Sequence, residues 1–283
     1  MALENFIPKL WSARLLKNLD MALVYGQAMV INRDYEGEIS QAGDTVKINS
    51  IGEVTIGDYT KNTDINAPED LTDAQRQLLI DQQKYFNFQV DDIDKAQQNV
   101  NVMDEAMKRA AFGLGKVADS KIASLYVDVA SGNLIGNDTT PIIPTADTAY
   151  DNLVDLSVLL TESNVPEDGR WVIVPAWYHG LLLKDKRFVD HGTDKNVEVR
   201  TNGKVGRVSG MDVMTSNNVP NTAGTKYKII AGHKLAWTYA DQVTKTEAYR
   251  PEKRFADAVK GLHVYGAKVV RPNCLAVLTA NRS

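Results

Sequence analysis

One helical pattern in this chain is longer than a domain of its size needs internally. From residue 93 onward, apolar side chains recur at steps of three and four residues, the period of one face of an α-helix. The stripe consists of Ile93, Ala96, Val100, Met103, Met107, Ala110, Leu114, Ala118, Ile122, Leu125 and Val129. At 1.5 Å per residue, the predicted helix from Ile93 to Val129 spans about 55 Å. Gly113 and Gly115 are expected to weaken or bend its middle.

Two strands joined by a long polar tip are predicted before this helix. Val46 and Ile48 alternate with polar residues, as in a half-buried strand, and the pattern returns from Phe86 to Val90. Residues 58–72 between them contain almost no large apolar side chain. We therefore expect an extended hairpin, which cannot bury enough surface to be stable alone.

The rest of the chain mixes helix and strand patterns. An amphipathic helix is predicted over residues 6–30, with Pro8 in its first turn. Residues 146–240 read as an α/β unit: a helix through Tyr150 and Leu160 that Asp147 or Thr148 caps, a buried strand at Trp171–Val174 and a short helix at 176–183. Further strands are predicted at 205–215, 227–230, 244–249, 261–270 and 274–278.

Composition excludes several classes of protein. The 283 residues include 32 Lys and Arg against 36 Asp and Glu, a net charge of -4 that a basic protein coating nucleic acid would not show. One cysteine and four scattered histidines predict no internal disulfide, no Cys/His zinc site and a reducing compartment. No apolar run approaches the roughly 18 residues of a spanning helix, so no membrane partner is expected.

Short motifs with catalytic potential fail on their details. Gly113, Gly115 and Lys116 lack the spacing and preceding strand of a phosphate-binding loop. His179 with Asp185 suggests a base and its orienting acid, but no nucleophile has a local signature. Acids at positions 91, 92 and 94 complement a helix N-terminus rather than form a calcium loop. The sequence predicts no catalytic, cofactor-binding or metal-binding residue.

Charge is distributed unevenly along the chain. Residues 64–94 hold eight acids against two bases, whereas residues 245–271 hold seven bases against three acids. Both segments can be solvated faces, or an acidic arm of one subunit can lie over a basic segment of its neighbour. Under the second interpretation the predicted intersubunit contacts are Trp11, Lys61, Asp64, Glu69, Asp70, Arg250, Lys253 and Arg254.

Several segments together resemble major capsid proteins of tailed bacteriophages. They are Phe6-Ile7-Pro8, Trp11-Ser12-Ala13, Leu15-Leu16, the run from Gly43 to Ile48, the junction from Phe86 to Asp94, the run from Arg254 to Leu262, and Lys268 to Pro272. The resemblance covers nearly the whole chain. It implies an α+β, HK97-like capsid fold with an N-terminal arm (1–40), an extended β-hairpin loop (41–92), a peripheral domain (93–145) whose spine helix spans 93–130, an axial domain (146–240) and a return to the peripheral domain (241–283).

The resemblance also implies a function without catalysis. The chain would self-assemble into hexamers and pentamers of an icosahedral shell around a double-stranded DNA genome, in a virion assembled in the host cytoplasm. Implied partners are a separate scaffolding protein, a portal protein and nonspecifically contacted DNA. Some relatives join subunits through a Lys-Asn isopeptide bond, but no local motif assigns Lys61 or Asn273 to one. Two alternatives stay open: an encapsulin-like bacterial nanocompartment shell, and an α/β hydrolase-like enzyme that uses His179.

Overall fold

The structure is a computed structural model. It describes residues 23–34, 45–51, 56, 58–59, 61–62, 64, 73–91, 102–185 and 206–282. Trp11, Glu69 and Asp70 lie outside these residues, as does most of the predicted helix over 6–30. Residues 23–31 of that helix form turns instead, held by hydrogen bonds that Val30 and Ile31 donate to the carbonyl of Gln27.

Twelve strands and three α-helices are found among the described residues. In chain order they are β1 (Thr45–Ile51), β2 (Asp73–Leu79), β3 (Gln82–Asp91), α1 (Val102–Ala123), β4 (Leu134–Ile135), α2 (Ala149–Glu162), β5 (Arg170–Val174), α3 (Ala176–Lys184), β6 (Arg207–Val208), β7 (Met211–Thr215), β8 (Asn221–Thr222), β9 (Lys226–His233), β10 (Trp237–Tyr249), β11 (Ala256–Val269) and β12 (Leu275–Asn281). Short 3-10 helices occupy Ser124–Asp128, Ser131–Asn133 and Pro272–Cys274.

The long helix packs on a three-stranded antiparallel sheet of order β10-β11-β3. Met107, Ala111 and Leu114 of α1 pack against Val259 of β11. The helix ends at Ala123 and continues as a 3-10 helix, so the prediction of one α-helix to Val129 is wrong at its C-terminal end; residues 92–101 lie outside the described part. The helix runs unbroken through Gly113 and Gly115.

The strand pairing of the hairpin differs from the prediction. β1 pairs with β2 in antiparallel register, from Thr45 opposite Leu79 to Ile51 opposite Asp73. β3, which was expected to complete the hairpin, pairs with β11 instead. A Cβ atom at Gly261 of β11 would clash with the ring of Phe86, so glycine at this position admits the aromatic side chain of β3.

A seven-stranded mixed sheet has the order β4-β12-β9-β5-β7-β6, with β8 added beside β9. Leu153, Leu156 and Leu160 of α2 pack with Tyr178 and Leu182 of α3 on one face. The predicted strand at 171–174 and both helices are confirmed, although no side chain caps α2. Residues 241–283 are expected to return to the peripheral domain, but within them β12 pairs with β9 and β4 in this seven-stranded sheet.

A buried aromatic core joins the two sheets to residues 23–31. Trp171 of β5 stacks on Trp237 of β10 with ring centroids 5.3 Å apart, and Tyr25 meets Trp237 edge-on. The indole N–H of Trp237 donates to the carbonyl of Val30 at 2.8 Å. Ala118 and Ile122 from the end of α1 complete this core. This core therefore connects the two sheets, the helix and residues 23–31.

Candidate assembly surfaces

Several large apolar side chains lie open to solvent within a single subunit. Ile56 and Tyr59 near the hairpin tip are 94% and 74% exposed, Phe112 on α1 is 62% exposed, and Phe255 before β11 is 85% exposed. Isolated exposed apolar residues are normal, but exposed aromatic rings on extended elements are typical of surfaces that meet a partner.

The sequence-predicted contact residues within the described part are all exposed. Lys61 and Asp64 lie near the hairpin tip, and Arg250, Lys253 and Arg254 lie in the turn between β10 and β11. Arg250 is partly neutralised by Asp257, with 3.6 Å between Nε and Oδ1. Among the described residues, no hydrogen bond or ion pair joins Lys61 or Asp64 to Lys253 or Arg254. Within one subunit these four side chains therefore do not neutralise each other.

The open face of the three-stranded sheet, opposite α1, carries a shallow groove. Its volume is about 300 Å³, and Tyr85, Asn87, Glu247, Lys260 and Leu262 contribute to its lining. On this face Lys260 is paired internally, because its Nζ lies 2.9 Å from a carboxylate oxygen of Glu247. Within the described part, β3 pairs only with β11 and leaves its outer edge open.

A buried carboxylate connects α1 to the segment before the hairpin. Oδ1 of Asp119 accepts the backbone N–H groups of Val24, Tyr25 and Gly26 at 3.0, 2.9 and 3.2 Å. Oδ2 accepts the N–H of Val24 at 3.1 Å and the amide N–H of Asn218 at 3.3 Å. Burial raises the pKa of Asp119, and the donated hydrogen bonds oppose that shift. Asp119 therefore holds three chain segments together.

A second polar anchor ties the same segment to β10. Asp241 accepts hydrogen bonds from Arg33 at 3.0 Å and from the hydroxyl of Tyr239 at 3.1 Å, and it lies 3.2 Å from Nε2 of His263. Burial alone would raise the pKa of Asp241, but the hydrogen bond from His263 and the charges of His263 and Arg33 outweigh it, so that this pKa lies below its ordinary value. The aromatic ring of Tyr265 stacks on His263.

The described residues form no catalytic arrangement around His179, the residue that the hydrolase alternative would use. His179 lies half-buried on α3, where burial lowers its pKa. Its imidazole makes no hydrogen bond with any residue in the described part of the chain, so neither Asp185 nor a serine or cysteine nucleophile engages it there. Gly113, Gly115 and Lys116 lie inside α1 rather than in a loop after a strand.

Metal and membrane sites were also sought in the structure. Among the residues that the structure describes, no group of three or more His, Cys, Asp or Glu side chains is arranged to hold a metal ion. The described helices are each too short or too polar to cross a bilayer.

Sequence reasoning missed the polar anchors at Asp119 and Asp241. Asp119 follows Ala118 on the apolar stripe of the predicted helix, and a carboxylate beside buried positions is the one signal that points to it. Its partners lie about 95 residues away in sequence, and no local pattern contains them. Asp241 and His263 come from strands whose pairing the sequence does not specify.

Comparison with known proteins gives consistent matches. Residues 73–278 match the family model described as phage capsid protein. A solved structure from Mycobacterium phage Che8 is 32% identical over 98% of both chains, with a TM-score of 0.73. The capsid structure of Cyanophage P-SCSP1u is 16% identical over 87% of this chain and 85% of that one, with a TM-score of 0.65. A virus-like particle from Pyrococcus furiosus is 15% identical over 98% of this chain and 100% of that one, with a TM-score of 0.60. No curated protein matches the chain.

Proposed function

Because this chain belongs to the phage capsid protein family, we propose that its copies assemble as hexamers and pentamers into a closed shell around a double-stranded DNA genome. The chain is a major capsid protein of a bacteriophage, a structural protein with an α+β, HK97-like fold. It is a component of the icosahedral virion capsid. Beyond this, we propose the hexamers and pentamers, the contacts between neighbouring copies and the further partners.

One observation supports the proposed contacts between copies: apolar and charged side chains at the hairpin tip and in the β10–β11 turn are exposed to solvent in the single subunit. The hairpin tip exposes Ile56, Tyr59 and Asp64, and the β10–β11 turn exposes Arg254 and Phe255. Burying exposed apolar surface drives association, while complementary charge sets which surfaces meet. A second copy offers both at once, since an acidic tip can lie over the basic turn of a neighbour.

The predicted contact set is therefore kept as a proposal. Lys61 and Asp64 would meet the turn residues Arg250, Lys253 and Arg254 of a neighbouring copy, and Trp11, Glu69 and Asp70 would add to this interface from segments outside the described residues. We also propose the division of the chain into four parts: an arm (1–40), a loop (41–92), a peripheral domain (93–145 and 241–283) and an axial domain (146–240). One change is made to it, because β12 belongs to the seven-stranded sheet that contains β5, β7 and β9 of the axial domain.

The remaining partners are proposed from family membership alone. They are a separate scaffolding protein, a portal protein and packaged DNA contacted without sequence preference, with assembly in the host cytoplasm. The DNA contact is proposed to be weak as well as nonspecific, because the chain as a whole has an acidic net charge of -4.

Charge reversal tests the proposed interface. Lys253→Glu with Arg254→Glu should leave a folded subunit, because both side chains are exposed, but abolish shells seen by electron microscopy. Lys234→Glu with Lys268→Glu is the matched control, since these lysines are also exposed and lie outside the turn. Adding Asp64→Lys to the turn variant should restore part of the assembly. Normal shells from the turn variant would overturn the proposed contact.

Deletion of residues 58–72 tests the role of the tip. The variant should fold, as measured by circular dichroism and sedimentation, but fail to form shells with or without a co-expressed scaffolding protein. An insoluble variant would instead place this stretch in the subunit core. Wild-type protein that stays monomeric under all conditions would contradict the shell itself.

The alternatives find less support. The family model and the 32% identical chain both point to phages, whereas the virus-like particle from Pyrococcus furiosus at 15% identity shows the fold alone. An enzyme cargo inside purified particles would favour the nanocompartment. The hydrolase alternative requires a measurable activity that His179→Ala removes in a protein that does not assemble.

A further inference from the structure

The exposed face of α1 carries a row of cations that the proposed subunit contacts do not use. Lys108, Arg109 and Lys116 are exposed along this face, with Phe112 between them. Glu105 is the one exposed acid among the described side chains of α1, and it lies 3.3 Å from Arg109. Lys108 and Lys116 have no carboxylate partner within the described ranges.

The open face of the three-stranded sheet, opposite α1, differs because its exposed lysine is paired. On the open side of the three-stranded sheet, Lys260 is paired with Glu247 at 2.9 Å and lies over the ring of Tyr249 at 5.4 Å. The complete chain has a net charge of -4. The unpaired cations on α1 are therefore a local feature, not the consequence of a basic protein.

We propose that this face of α1 is where the shell contacts the phosphate backbone of the packaged DNA duplex, an inference that rests on the proposed function. α1 and the sheet form two layers, so their open faces point in opposite directions. In a shell one subunit thick with these layers parallel to its surface, one face points inward. The cationic face complements a polyanion, whereas Lys260 on the sheet face is already paired with Glu247.

The spacing of the cations suits a duplex. Lys108 and Lys116 are separated by eight residues of helix, or about 12 Å at 1.5 Å per residue. A duplex carries one charge per roughly 1.7 Å of axis, so about seven phosphate charges occupy that span. Each cation can meet a phosphate without reading a base, and Arg109 gives up only an exposed ion pair of small energy.

A salt titration tests this surface. Binding of a labelled 30-base-pair duplex of random sequence to unassembled subunits is measured by fluorescence anisotropy between about 50 and 200 mM salt. Replacing Lys108, Arg109 and Lys116 by Gln removes three phosphate contacts, which makes the negative slope of log K against log salt shallower by about 2.7. Wild-type affinity then falls about 40-fold more than that of the variant across this range. Lys234→Gln with Lys268→Gln is the control and should match the wild type.

Two further measurements separate the possible occupants of this face. The triple variant should still form shells by electron microscopy, so a loss of DNA binding is distinguishable from a failure of the proposed function. Phe112→Ala should leave DNA affinity unchanged, since backbone contact depends on charge. A triple variant that behaves like the control overturns the proposal. So does a triple variant that loses assembly but keeps its DNA affinity, because the face then binds protein, such as the acidic hairpin of another copy.

Discussion

Removing the carboxylate of Asp119 should destabilise the subunit more than any exposed substitution. Asp119→Ala leaves the backbone N–H groups of Val24, Tyr25 and Gly26 without their acceptor in a buried site. An unsatisfied buried donor costs about 1–3 kcal/mol. With three donors and some relaxation toward water, we expect a loss of about 4 kcal/mol.

The Asn variant provides a graded comparison. In Asp119→Asn, the remaining oxygen can keep the three bonds to Oδ1, but an amide N–H₂ group replaces Oδ2 and faces the donors of Val24 and Asn218. Two acceptor contacts are lost and donors oppose each other, so we expect a loss of about 2 kcal/mol. The expected stability therefore decreases from wild type to the Asn variant to the Ala variant. This order follows from the number of hydrogen bonds kept and not from side-chain size, because Asn and Asp are nearly isosteric.

Thermal unfolding followed by circular dichroism measures the effect. An unfolding entropy of about 2.1 cal/mol/K per residue over 283 residues gives about 0.6 kcal/mol/K, so the Ala variant should unfold about 7 °C lower and the Asn variant about 3 °C lower. Amide hydrogen exchange at residues 24–26 should accelerate in the same order. Asp128→Ala, at an exposed acid just beyond α1, is the control. Equal melting temperatures for the Ala variant and the control, with unchanged exchange at residues 24–26, would refute the role of Asp119.

Three further predictions concern other parts of the subunit. Arg170→Met should cost about 3 kcal/mol in thermal melts, because the buried guanidinium donates to the carbonyls of Ser157, Val165 and Pro166 at the end of α2; the exposed Arg207→Met should cost less than about 1 kcal/mol, and equal losses would contradict this account. Ala223→Gly should raise stability by about 0.5–1 kcal/mol, because Ala223 has φ of +56°, whereas Ala130→Gly at φ of -56° should lower it; a loss at both sites would show that the backbone at 223 is not strained. Asp241 has a lowered folded pKa, so its stabilisation is present above the ordinary value of 3.8 and is lost as pH falls through the folded pKa. The difference in unfolding free energy between wild type and Asp241→Asn should therefore shrink from pH 6 to pH 3, and a difference independent of pH would contradict the lowered pKa.

Local sequence patterns predicted helices and strands better than they predicted which strands pair with each other. The helix through Leu153 and Leu160 and the buried strand at 171–174 are confirmed, because the helix carries its own apolar period and the strand is a short continuous apolar run. Alternation at Phe86 and Phe88 correctly indicated a strand but not its neighbour, since β11 lies about 170 residues further along the chain. The sequence extends the long helix too far because Leu125 and Val129 continue the apolar spacing of the stripe, although Ser124–Asp128 form a 3-10 helix.

The surfaces were less predictable than the elements. Exposure of Lys61, Asp64 and the turn cations follows from their polar surroundings, but whether two such segments meet depends on a second copy, which sequence patterns do not describe. The cations on α1 were each visible in the sequence. Their shared face became apparent only once the apolar stripe was seen to pack on β3 and β11.

The anchoring of α1 differs between its two halves, and this difference bears on how one sequence can occupy unlike positions in a shell. Near its C-terminal end, Asp119 and the indole N–H of Trp237 make directional hydrogen bonds to residues 24–30, which fix register. Toward the N-terminus, the described contacts are apolar, from Met107 and Leu114 to Val259.

Apolar contact is non-directional and tolerates small sliding at little cost, whereas displacing a buried hydrogen bond costs the full desolvation of its groups. Subunits in the proposed hexamers and pentamers would experience different curvature. We therefore expect differences between them to concentrate at the N-terminal half of α1 and the β10–β11 turn, and the junction at Asp119 to superimpose closely. Cryo-electron microscopy of assembled shells measures this directly, and a displaced Asp119 junction over an invariant turn would reverse the assignment of the rigid and adaptable ends.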